Sequence, residues 1–197
     1  MAKPRSIEYD LKYLQSGLEV LDRYLLSGEV FWPLGISPPA GEPDYPQLTL
    51  DGLLLAKARL EAHPLTPDQH NQVDKEFSEL ELKRSGHRVA WENKAGQCFR
   101  MRLRMWAEFL EEYRENPAEN ADRYTYEVRL RVMLSLLVPD IGSHNPEEKR
   151  ILNSVDTYLK SVLIEANFIW DEVIPSRFPR SEYWYLYGLL PPLTKKP

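Results

Sequence analysis

A single cysteine, Cys98, stands in 197 residues, so no disulfide can close within the chain and no cysteine cluster can hold zinc. That scarcity points to a reducing compartment, and a cytoplasmic location is expected. Long hydrophobic runs are also missing. The short polar start, Met1 to Ser6, leads into no apolar stretch long enough for a signal peptide or a membrane span, so no membrane partner is expected. There is no glycine-rich phosphate loop, no H-E-x-x-H and no G-x-S-x-G elbow. His63, His70, His87 and His144 fall in separate segments without ligand spacing. The prolines Pro64 and Pro67 keep His63 and His70 off a shared helix face. No catalytic residue, metal centre or cofactor is therefore expected. Internal repeats and low-complexity tracts are lacking as well. Neither sign of charge dominates: the net charge of −5 argues against wholesale coating of a nucleic acid, while leaving room for a local basic patch.

What is present is a globular composition, 43% hydrophobic and 28% charged, with sixteen prolines that punctuate the chain. The length suits one α+β domain spanning residues 1–197. The stretch from Gly86 to Val138 carries the most regular pattern. Phe99, Met101, Leu103, Met105, Ala107 and Phe109 share one parity, while Arg100, Arg102, Arg104, Trp106 and Glu108 share the other. Tyr124, Tyr126, Val128, Leu130, Val132, Leu134, Leu136 and Val138 alternate in the same way against Thr125, Glu127, Arg129 and Arg131. A period of two is that of a strand with one buried face. The polar segment Glu115 to Asp122, with Pro117, suits a connecting loop, and Asn93-Lys94-Ala95-Gly96 suits a three-residue hairpin turn. The expectation is a three-stranded antiparallel meander at about 87–93, 97–113 and 123–138. The competing reading is one long helix from Asp68 to Asn116, uninterrupted by proline; Gly86, Gly96 and the strict alternation count against it.

Helices are expected at about 6–26, 50–62, 67–84 and 146–174, packed mainly on one face of the sheet. Ser6, Thr49 or Asp51, Thr66-Pro67 and Asn145-Pro146 supply their starts. The last helix carries the apolar series Leu152, Val155, Leu159, Val162, Ala166, Ile169 and Val173 up to Pro175. Residues 33–47 form a proline-rich loop, which Phe31 and Trp32 are expected to plug onto the core, with an exposed aromatic contact site as the alternative. Residues 175–197 form an aromatic tail that either packs back or meets a partner.

Three functional readings follow. The leading one is a non-enzymatic interaction protein forming a homo-oligomer, through the seam Leu11, Leu14, Leu18, Leu21 and Leu25 or through the tail. The second is a nucleic-acid (polyanion) site on the polar sheet face, where Arg100, Arg102, Arg104, Arg129 and Arg131 would hold phosphates and Trp106 would stack a base. The third is an enzyme with an unfamiliar site. For Cys98, the sheet register puts His87 on the opposite face, which disfavours a dyad.

Overall fold

The computed structural model describes residues 6–142, 145–170 and 174–192. His144 and Val173, and with them part of the segment expected as helix 146–174, lie outside the described residues. The first three helices begin where side chains accept from the first free amides. The Ser6 hydroxyl accepts from the Tyr9 amide and opens α1 (Ile7–Leu26). Thr49 does the same for α2 (Leu50–Ala62) through the Gly52 amide. Thr66 and Gln69 form a reciprocal capping box at α3 (Pro67–Gly86).

The meander expected at 87–138 is not there. Residues 88–115 form one helix, α4 (Arg88–Glu115), separated from α3 only by a break at His87. The amide ladder nearly continues across it, His87 N–H to Lys83 O and Trp91 N–H to His87 O. The uninterrupted-helix reading is therefore close to the truth. The reason lies in which residues are buried: Trp91, Ala95, Cys98, Phe99, Leu103, Trp106, Leu110 and Tyr113. These recur at helical spacing and draw on both parities. Met101, Met105 and Ala107, which completed the apparent alternation, are only half-buried flanks. Asn93 to Gly96 makes no turn; Lys94 and Ala95 are buried inside the helix.

The 123–138 stretch is likewise helical. After the short α5 (Pro117–Asn120) come α6 (Tyr124–Glu127) and α7 (Arg129–Leu137). Leu130, Arg131, Val132, Met133, Leu134 and Leu137 of α7 are all buried, because this helix lies against both α4 and α2. A helix covered all round needs apolar residues all round, and their density mimics a strand. Tyr126 and Val138, assigned to the buried face of that strand, are 57% and 40% exposed.

Asn145 caps α8 (Pro146–Val162), which stops twelve residues short of the expected end at 174. The chain turns extended there as β1 (Ile164–Glu165), which pairs antiparallel with β2 (Gly188–Leu189) from the tail. These are the only paired strands among the described residues. The tail packs back: Phe178, Tyr183, Tyr185, Leu186 and Leu190 are buried. The Tyr124 hydroxyl donates to Tyr185 O at 2.6 Å, and the Tyr113 hydroxyl donates to Pro191 O at 2.8 Å. No described helix is long and apolar enough to cross a membrane.

Candidate functional site: a cleft beside α4

On an α-helix, residues four apart share a face and residues two apart are nearly opposed. That geometry separates the arginines of α4. Arg102 turns into the core. Its Nε donates to Asp51 Oδ2 at 2.6 Å and its Nη2 to Thr49 Oγ1 at 3.2 Å, with the Asp51 side chain fully buried. Trp106 is also fully buried, against Phe109 and Tyr124. On α7, Arg131 makes a paired contact with Asp156, both bonds at 2.8 Å, and its guanidinium lies 4.7 Å from the Tyr185 ring centroid. Arg129 lies over the Tyr126 ring and beside Glu127. Of the six residues assigned to a common sheet face, the structure brings together two on one open strip, Arg100 and Arg104. The seam Leu11, Leu14, Leu18, Leu21 and Leu25 is buried within the chain, where α1 packs on α2, α3 and α4.

Arg100, Met101 and Arg104 form one wall of a cleft of about 450 Å³; Gly28, Glu29, Val30 and Phe31 form the other. The second wall is held from beneath. Lys94 is 1% exposed, and its ammonium donates to Ser27 O at 2.9 Å and Glu29 O at 2.7 Å while lying 4.5 Å from the Tyr24 ring centroid. Burial pulls the Lys94 pKa below the usual lysine range. The Tyr24 hydroxyl donates to Val30 O at 3.0 Å. Trp32 and Leu48 exchange both backbone hydrogen bonds, at 3.0 and 2.8 Å, and so fix where the proline-rich loop leaves. That loop is clamped in turn, since the Tyr45 hydroxyl donates to Tyr9 O and the Tyr9 hydroxyl to Asp44 O. The Phe31 ring has the Arg102 guanidinium 6.0 Å from its centroid and remains 43% exposed.

Each guanidinium in the cleft has one carboxylate at ion-pair distance and none hydrogen-bonded to it. The nearest carboxylate to Arg100 is Glu148 at 3.9 Å, and the nearest to Arg104 is Glu108 at 3.7 Å, both beyond hydrogen-bond reach. A second cleft, about 490 Å³, lies between the α3–α4 break and residues 139–142. Its charges satisfy one another. Arg84 bonds Glu81 and Asp140, and Arg88 bonds Glu92. Burial raises the Asp140 pKa, which the Arg84 charge opposes.

No protein-family model matches the chain, and neither does any curated protein or solved structure. The chemistry of the site must be read from its own residues. Cys98 is fully buried, 3.6 Å from the Tyr24 hydroxyl, and burial pushes its thiol up to about 12. A thiol that keeps its proton is a poor nucleophile. His87 is near Asp22, at 3.4 Å, rather than near Cys98. No group of three or more His, Cys, Asp or Glu residues suited to a metal ion occurs among the described residues. Of the cleft residues, the sequence does not single out Gly28, Glu29, Val30 and Met101 as site residues, and it reads Phe31 first as a plug on the core. The plug holds only in part: Trp32 is half-buried against the core, while Phe31 is exposed. Lys94, which supports the second wall, reads from sequence as part of a hairpin turn, where a lysine is solvated.

Proposed function

We propose that the protein is a non-enzymatic binding protein, and that the cleft between α4 and residues 28–31 takes an anionic ligand. One observation carries this reading: Arg100 and Arg104 face a common cleft with no carboxylate in hydrogen-bond reach. Guanidinium groups reach full strength with an oxyanion that accepts from both prongs of the fork. The fixed wall opposite supports the reading, since a preorganised site spends less binding energy on ordering itself. Isothermal titration of the full chain with inorganic phosphate, at constant ionic strength, tests it. Saturable binding is expected, weakened at least tenfold in the Arg100→Gln/Arg104→Gln double variant. Equal affinity in the two proteins would refute the assignment.

A further inference from the structure

We infer that the ligand of this cleft is a compact phosphomonoester bearing a flat ring, in chemical class a nucleoside monophosphate; the inference rests on the anion-binding reading above. Three features narrow the class. Arg100 and Arg104 are i,i+4 neighbours, so their Cβ atoms stand about 5–6 Å apart and both forks can converge on one dianionic phosphate. Phe31 presents an exposed ring in the same cleft on a backbone that Lys94 and Tyr24 hold in place. Stacking a base on such a ring contributes about 1–3 kcal/mol. Glu29 also lines the cleft and offers an acceptor-only carboxylate to a hydroxyl or amino donor.

The surroundings disfavour a long polyanion. Glu108 and Glu148 flank the two arginines at 3.7 and 3.9 Å, and the whole chain carries a net charge of −5. One dianion satisfies both guanidiniums; an extended strand would lay further phosphates over acidic surface. The volume of about 450 Å³ falls in the range of sites for small ligands.

Isothermal titration of the full chain with adenosine monophosphate, adenosine, inorganic phosphate and a ten-nucleotide single strand discriminates the outcomes. The monophosphate should bind more tightly than either fragment. Phe31→Ala, at an exposed position, should weaken it by about five- to 150-fold, the size expected for one stacked base, and weaken phosphate binding far less. Phosphate as tight as the monophosphate, with no effect of Phe31→Ala, would overturn the ring and leave the anion site standing. Affinity for the single strand far above that for the monophosphate, falling steeply with salt, would overturn the compact ligand in favour of a polyanion surface. No binding of any probe would remove the anion reading itself.

Discussion

Arg102 and Arg104 are two residues apart and have opposite environments. The Arg102 side chain is 9% exposed and ion-paired to an Asp51 side chain that is 0% exposed, whereas the Arg104 side chain is 73% exposed. Removing one partner of a buried pair strands the other charge and costs about 3–5 kcal/mol. Truncating an exposed side chain shifts stability by about 0.5 kcal/mol or less. Urea denaturation of Arg102→Gln and Arg104→Gln should reproduce that contrast. Equal costs would place both on one face, as the sheet reading required. The same contrast explains why a polyanion face could be read from sequence: charge type and spacing are visible there, but the period that assigns each arginine to core or solvent is not.

At the scale of elements, α1 to α3 were legible because their ends are chemical: Ser6, Thr49 and Thr66-Pro67 mark starts that composition alone would miss. The start of α8 was legible for the same reason, through Asn145 and Pro146. Its end was not, because the partner that draws residues 164–165 into a strand is Gly188-Leu189, remote in sequence. Helix α4 was misread because its amphipathic face is wide: Phe99, Leu103 and Phe109 satisfy a period of two and a period of 3.6 alike. What decides between them is the opposite parity, where Cys98, Trp106 and Leu110 are also buried. Glycine substitutions test these assignments. Gly96 lies inside α4, where an added Cβ would meet only Arg100 Nη1 at 3.6 Å. Gly96→Ala should therefore stabilise by about 0.5–1 kcal/mol through helix propensity. A hairpin turn with a left-handed glycine would give the opposite sign. Gly17 in α1 is the counter-case. A Cβ there would stand 2.5 Å from Leu53 Cδ2 and 3.1 Å from Leu48 Cδ1, so Gly17→Ala should destabilise despite its better propensity, as overpacking costs about 1–3 kcal/mol.

For the whole molecule, burial of phenols and the thiol sets the response to alkali. Burial pushes Cys98 and Tyr45 up to about 12, and raises Tyr13, Tyr24, Tyr124 and Tyr185 further above the ordinary tyrosine value of 10.0. In the unfolded chain these groups lose their protons near 9.0 for the thiol and 10.0 for the phenols. Through that window the folded state holds more protons, so stability is full below pH 9 and falls as pH rises above it. Tyr113, Tyr158 and Tyr183 are raised as well, so Lys94, lowered by burial, opposes this as one group against nine. Urea midpoints at pH 8, 9.5 and 10.5 should decline in that order; a flat series would mean that the phenols are not buried as described.

Whether α4 and residues 28–31 together form an anion site can be read residue by residue. Amide chemical-shift mapping during a phosphate titration, at constant ionic strength, tests it most directly. Saturable shifts clustered at Gly28–Phe31 and Arg100–Arg104 are expected. Shifts scattered over the basic surface, or none, would contradict it.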